Sequence, residues 1–222
     1  MTKKFGLISL TIILVLGAFP ARAFQDHEHN QDQSARNRHR DRWYWQMPHR
    51  IMDELGIKAG MTVADVGGGD GYFTFFLSER VDKTGHVYVN DIDNEALQII
   101  RDRCRNDAIK NVTVILGKED DPLLPEKCLD VILMVNVIHL INDPDTFLHN
   151  IAKGLNPDGR LVIVQWDASK MDPEMPGWEA KNRSLFTLQT NLRSIYRAGY
   201  EVIEIKNFLP MQNIYICRPI EL

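Results

Sequence analysis

Residues 65–71 read Asp65-Val66-Gly67-Gly68-Gly69-Asp70-Gly71, between a short apolar run and an aromatic-rich segment with helical spacing. A strand that ends in glycines and turns straight into a helix is a narrow specification. Glycine permits the positive φ of such a turn and lets backbone come close to a ligand. The helix behind it offers unpaired N–H groups and a partial positive charge. The spacing is D-x-G-x-G-x-G and differs from the dinucleotide fingerprint G-x-G-x-x-G. Counted from Gly67 and Gly69, the third glycine of that fingerprint falls on Tyr72.

Strands and helices alternate along the rest of the chain. Met61–Val66, His86–Asn90, Val112–Leu116, Asp130–Val135 and Arg160–Trp166 read as strands. Asp130–Val135 is apolar enough for a strand buried on both faces. The helices expected between them are Tyr72–Val81, Asn94–Ile109 and Pro144–Leu155. Asn156-Pro157-Asp158-Gly159 has turn chemistry. Pro48 suits the first turn of a short helix with Ile51, Met52 and Leu55 inward and Gly56 as its stop. Near the C-terminus, Ser184–Ala198 reads as a helix with Leu188, Leu192 and Ile195 on its apolar face, and Gly199 stops it. Glu201–Ile205 and Asn213–Arg218 follow as two strands. Asn207–Gln212 between them is too short for a crossover, so this pair is antiparallel. The expected fold is therefore α/β: a Rossmann-like, doubly wound, seven-stranded sheet, mostly parallel, with an antiparallel C-terminal strand.

The N-terminus is a separate matter. Lys3 and Lys4 precede an almost wholly apolar run from Gly6 to Phe19, and Ala21-Arg22-Ala23 follows. This pattern is that of a cleaved export signal, residues 1–23, and the run is short for a membrane span. A retained anchor is the alternative. Residues 24–42 are polar and without periodicity and read as a flexible linker; His27-Glu28-His29 within it is read as a solvated tail rather than a metal site. The folded domain is expected over 43–222. Without residues 1–23 the chain carries 23 Lys and Arg against 30 Asp and Glu, a formal charge of −7. That balance argues against nucleic acid as a partner. Cys104, Cys128 and Cys217 form no C-x-x-C pair, and no metal site is expected.

The D-x-G-x-G-x-G loop, the strand-two end Asp91-Ile92-Asp93, the Gly117 turn, Val135-Asn136-Val137-Ile138-His139 and Leu155-Asn156-Pro157-Asp158-Gly159 together resemble the class I S-adenosylmethionine (SAM)-dependent methyltransferases, and within them the UbiE-like, type 11 group. The reversed last strand agrees with that resemblance, which covers roughly residues 43–218. It implies SAM as cofactor and methyl transfer to a small-molecule acceptor. It implies cofactor contacts from Asp65, Gly67, Gly69 and Gly71, ribose binding by Asp91, and Ile92 beside the adenine. Asp65 bracing the loop is the alternative for that residue. Asp93 is then the N-cap of the next helix. Many relatives place an Asp directly after the strand-three glycine; this chain has Lys118, so Glu119 or Asp120 is expected to take that place. Asn136 would lie near the sulfonium. His139 is the candidate catalytic base, with a structural or acceptor-orienting role as its alternative. Trp43, Tyr44, Trp45 and Gln46 either cover the cofactor or pack the first helix onto the sheet. The segment Asp167–Arg183, with Met171, Met175 and Trp178, is expected to wall the acceptor site. An NAD(P)-dependent oxidoreductase and a non-enzymatic SAM-fold module remain as other readings, and the export signal implies a periplasmic location in which SAM must be supplied.

Overall fold

The computed structural model describes residues 42–171 and 184–220. The expected signal (1–23), all of the linker but Arg42, and Met175 and Trp178 lie outside the described residues. Residues 42–46 are helical and lead into α1 (Pro48–Glu54). There follow β1 (Thr62–Val66), α2 (Tyr72–Val81), β2 (His86–Asp91), α3 (Asn94–Asn106), β3 (Val112–Leu116), β4 (Leu129–Val135), α4 (Pro144–Ala152), β5 (Leu155–Trp166), α5 (Leu188–Arg197), β6 (Tyr200–Lys206) and β7 (Gln212–Pro219). The sheet order is β3-β2-β1-β4-β5-β7-β6. β1 through β5 pair in parallel, and β7 lies antiparallel to both β5 and β6. The reversed strand follows from the short connection between β6 and β7. The order changes direction between β1 and β4, which opens a crevice at their carboxyl ends.

The period of two along the central strands fills two separate layers. Val63, Val131, Leu133, Val162 and Val164 face one side, packed by Ile51 and Met52 of α1 and Phe73 and Leu77 of α2. Ala64, Ile132, Met134, Leu161 and Ile163 face the other, packed by Leu148 and Ile151 of α4 and Ile195 of α5. All of β4 from Val131 to Met134 is fully buried, which is why it reads as an unbroken apolar run.

The helix expected over Pro144–Leu155 ends at Ala152, and Leu155 instead opens β5. Three other expectations differ from the structure, each for a local reason. α3 stops at Asn106 rather than Ile109. Ala108 turns to φ 54° and the Ile109 N–H donates to the Cys104 carbonyl at 2.9 Å, a Schellman closure with alanine where glycine usually sits. Replacing Ala108 with glycine is expected to stabilise the fold by about 1 kcal/mol, the left-handed penalty of a side chain, measured as a shift of the urea midpoint. The helix expected over Ser184–Ala198 is broken at Thr187. Its backbone is extended there, and its hydroxyl oxygen accepts from the Thr190 N–H to cap α5. The break turns Leu188 outward, 43% exposed, and puts Asn191 inward instead. Asn156–Gly159, expected as a turn between elements, instead loops out of β5: Leu155 pairs with Leu129, and pairing resumes at Arg160 opposite Val131.

Candidate active site

β1 delivers the glycine loop and β2 fastens it. The N–H groups of Gly67 and Gly68 both donate to the Asn90 carbonyl, at 2.8 and 3.0 Å. The Gly69 N–H donates to Asp91 Oδ2 at 2.8 Å, while Asp91 Oδ1 accepts from the Asp93 N–H at 3.0 Å. A carboxylate offers about four lone-pair sites, so Asp91 holds the loop and keeps acceptor capacity. Asp93 caps α3 as expected, accepting from the Glu95 and Ala96 N–H groups. A methyl group at Gly67, whose φ is 70°, would lie 2.3 Å from Val137 Cγ2; at Gly69 it would meet nothing within 4 Å. The loop is thus closed toward β4 and open at Gly69.

A cleft of about 260 Å³ lies at the carboxyl ends of the strands, near the lower end for small-molecule sites. Of the residues expected at the cofactor, Gly67, Asp91, Ile92, Glu119 and Asn136 line it. Its other walls include Asn90, Lys118, Val137, Leu140 and Ile141. Asn90 is the buried hinge of this corner: its amide donates to the Pro122 carbonyl at 2.9 Å and fills the space a side chain at Gly117 would need. That contact positions the Lys118–Glu119 turn. Asn136 has φ 58°, which asparagine tolerates better than most residues. Its Oδ1 accepts from Gln212 Nε2 at 2.7 Å.

Five expected residues do not line the cleft: Asp65, Gly69, Gly71, Asp120 and His139. Asp120 does not line the cleft, whereas Glu119 does; the Asp120 backbone carbonyl accepts from the Asn150 amide at 2.8 Å. Gly69 and Gly71 shape the loop without lining the cleft, Gly71 as the left-handed N-cap of α2. Asp65 is 2% exposed and accepts from Thr74 Oγ1 at 2.7 Å, bracing the loop from behind. Burial pushes its pKa up to about 6, against the hydrogen bond from Thr74 and the charge of Arg42, which favour the ionised form. A folded pKa above the unfolded one means that folding is favoured most below about 4 and loses that advantage as pH rises through 6. At about 1.4 kcal/mol per unit, roughly 3 kcal/mol is at stake. Asp65→Asn is therefore expected to be more stable than the parent above pH 6, with the gap closing toward pH 4, in melting temperatures measured across that range.

Arg42, at the edge of the expected linker, belongs to the fold. Its guanidinium lies 4.0 Å over the Tyr72 ring and its Nε donates to Gln46 Oε1 at 2.8 Å. Desolvation lowers its pKa, opposed by Asp70, Tyr72 and Asp65. Gln46 is fully buried and its amide reaches Gln212, which in turn holds Asn136. Trp45 stacks on Trp166 at 5.1 Å. Trp45 and Gln46 thus pack the first helix onto the sheet, whereas Trp43 and Tyr44 are exposed. His139 stands one residue before Leu140 on a short 3-10 turn, Ile138–Leu140. Its Nδ1 is 3.0 Å from Gln165 Nε2, and its ring meets Phe186 edge-on at 4.9 Å. Gln165 and Gln212 were not singled out in the sequence. Both are polar residues at the ends of apolar strands, and that mismatch is the signal that marks them.

Comparison with known proteins decides the family. A family model described as a methyltransferase domain matches residues 57–212. The chain belongs to this methyltransferase family. The C-methyltransferase UbiE of ubiquinone and menaquinone biosynthesis from Vibrio campbellii is 32% identical over 123 residues, which covers 55% of this chain and 48% of that protein. The same protein from Vibrio vulnificus is 31% identical over an equal stretch. The chain spans about half the length of the curated relatives it matches. Among solved structures, a SAM-dependent methyltransferase from Aquifex aeolicus superposes with a TM-score of 0.71 at 26% identity, covering 79% of this chain and 91% of that one. One from Mesorhizobium loti, with a TM-score of 0.60 and 18% identity, shares the fold. The methyltransferase sheet order, with its reversed β7, sets aside the dinucleotide oxidoreductase reading.

Proposed function

We propose that this methyltransferase transfers a methyl group from SAM to a small-molecule acceptor by direct displacement. The observation that carries the reading is the cleft at the β1–β4 crevice, which brings a carboxylate with spare acceptor capacity, an exposed apolar side chain and the glycine loop together. The residues fit an adenosyl ligand. Asp91 would accept from the two ribose hydroxyls, Ile92 would cover one adenine face, and Glu119 lies within the same wall. When bound, SAM supplies an electrophilic methyl group whose transfer to a nucleophile leaves the C–S electron pair on sulfur. The chain contributes alignment, through Gly67, Asn136 and the turn that bears His139, and an apolar lining from Val137, Leu140 and Ile141 that limits water.

Incubating the purified protein with methyl-tritiated SAM and panels of small hydroxyl, amine, thiol and activated-carbon acceptors tests this. Label in an extractable small molecule, with one equivalent of S-adenosylhomocysteine formed, is the expected result. Conversion of no acceptor by a protein that also fails to bind SAM would overturn it.

We also propose that residues 1–23 direct export to the periplasm, a reading supported by the basic, apolar and A-x-A succession alone. Cell fractionation with mass analysis of the N-terminus is expected to find a periplasmic form beginning at Phe24. A full-length chain in the cytoplasmic fraction would contradict it.

A further inference from the structure

A row of side-chain amides runs from Arg42 to the wall of the cleft, and the arginine sets its direction. An arginine Nε only donates, so the Gln46 atom that it meets at 2.8 Å is Oε1. Gln46 Nε2 then faces Gln212 at 3.5 Å, and only Oε1 can stand there without setting two donors against each other. Gln212 is left with Nε2 for Asn136, which answers with Oδ1 at 2.7 Å. Gln46 and Gln212 are both fully buried, so neither amide turns to bulk water instead. What remains is the NH₂ group of Asn136. This residue is half-buried and lines the cleft. Its Nδ2 has no partner among the described residues and is not sealed from solvent.

A free donor is scarce on that side of the cleft. Glycine loops at helix N-termini hold anions through unspent N–H groups. Here Gly67, Gly68, Gly69 and Gly71 all donate within the chain, to the Asn90 carbonyl, Asp91 Oδ2 and the Gly68 carbonyl. The Asn90 amide is spent on the Pro122 carbonyl. Asn142 stands on the exposed loop ahead of α4. Lys118 follows β3, three strand positions from β4 in the sheet, or about 14 Å at the usual strand spacing. A carboxylate entering the β1–β4 side therefore finds Asn136, and an anion that leaves water needs such a donor.

We propose that Arg42, acting through Gln46 and Gln212, holds the Asn136 amide with Nδ2 toward the cleft, as the donor to the carboxylate at the amino-acid end of the cofactor. This rests on SAM as the ligand of the cleft. Asn136 is then a binding residue, and Arg42, Gln46 and Gln212 are positioning residues that work through it. The reversed amide would face the carboxylate with oxygen and repel it.

Calorimetric titration of the full chain with S-adenosylhomocysteine and with its decarboxylated analogue, which keeps the adenosine and the amine, tests the proposal. The parent is expected to favour S-adenosylhomocysteine by roughly tenfold or more, the worth of a hydrogen bond to a charged group. Asn136→Asp keeps an oxygen for Gln212 and makes the donor an anionic oxygen. Its affinity for S-adenosylhomocysteine is expected to fall by roughly a hundredfold, since repulsion replaces the hydrogen bond. The analogue is expected to bind no more weakly, because its amine is drawn to the new charge. Gln46→Glu leaves the cleft wall untouched and stays paired with Arg42. Its second oxygen accepts from Gln212 Nε2, so Gln212 Oε1 faces Asn136 and the Asn136 amide turns round. A loss of about tenfold for S-adenosylhomocysteine and none for the analogue is expected. If that variant does not fold, Gln212→Met serves: it adds no charge and frees the Asn136 amide, for a loss of about twofold in S-adenosylhomocysteine alone. Equal losses for the two ligands in Asn136→Asp, or none, would overturn the donor role. Loss there with none in a folded Gln46→Glu or Gln212→Met protein would overturn the relay from Arg42. A parent that binds the two ligands equally would overturn the proposal and leave the cleft as the SAM site. A parent that binds neither would remove SAM from the cleft and the proposal with it.

Discussion

Asp91→Ala is expected to weaken SAM and S-adenosylhomocysteine binding by at least a hundredfold. Two effects add. The carboxylate proposed for the ribose hydroxyls is lost, and hydrogen bonds to charged groups contribute about 1.5–3 kcal/mol each. The Gly69 N–H and the Asp93 N–H also lose their acceptor, at 2.8 and 3.0 Å in the parent, so the loop and the start of α3 come loose together. Asp91→Asn separates these effects. It keeps one side-chain oxygen, enough for one of the two backbone N–H groups, but removes the charge and half of the acceptor capacity. Its expected loss is on the order of tenfold, since neutral hydrogen bonds are worth about half of charged ones. Competition against labelled SAM in equilibrium dialysis measures both. Equal affinity in the parent and in a folded Asp91→Ala protein would take the ribose away from this residue.

The second large effect is expected at Gly67. A methyl group there meets Val137 Cγ2 at 2.3 Å, and the backbone at φ 70° disfavours any side chain. Overpacking of this kind costs about 1–3 kcal/mol and the left-handed conformation about 1–2 kcal/mol more. Gly67→Ala should therefore lose roughly 2–5 kcal/mol of stability in urea titrations, on those same terms. Cofactor affinity should fall as well, because Val137 lines the cleft and is the group that must move. Adding Val137→Ala removes the clash and leaves the backbone strain, so the double variant should recover part of the stability. A Gly67→Ala protein as stable as the parent would show that the loop is not pinned as described.

Most of the fold was legible because each local signal agreed with the next. Met61–Val66 and the glycines after it, the doubly buried run of β4, and the short β6–β7 connection leave one arrangement of seven strands. The misread boundaries share a cause. At Ala108 and Thr187 the chain leaves helical geometry at residues that carry no glycine or proline, so the signal is a backbone hydrogen bond that composition does not reveal. The bulge at Asn156–Gly159 has turn chemistry but sits inside a strand, since Leu155 still pairs with Leu129.

The lining of the cleft was legible at strand ends, where Gly67, Asp91 and Asn136 are found. It was not legible where two neighbouring acids compete. Glu119 and Asp120 are adjacent in one turn, and of the two only Glu119 lines the cleft. For Asp65 the resemblance implies a cofactor contact, with bracing of the loop as the alternative; in the structure it accepts from Thr74 and does not line the cleft. Arg42 and Gln165 act through contacts with residues far along the chain, and no spacing rule reports those.

The central claim is that this cleft binds SAM. Calorimetric titration of the purified protein with S-adenosylhomocysteine, SAM and NAD tests it most directly. The account predicts one site per chain with micromolar affinity for SAM and for S-adenosylhomocysteine, and no heat from NAD. A folded protein that takes up NAD, or that binds none of the three, would contradict it.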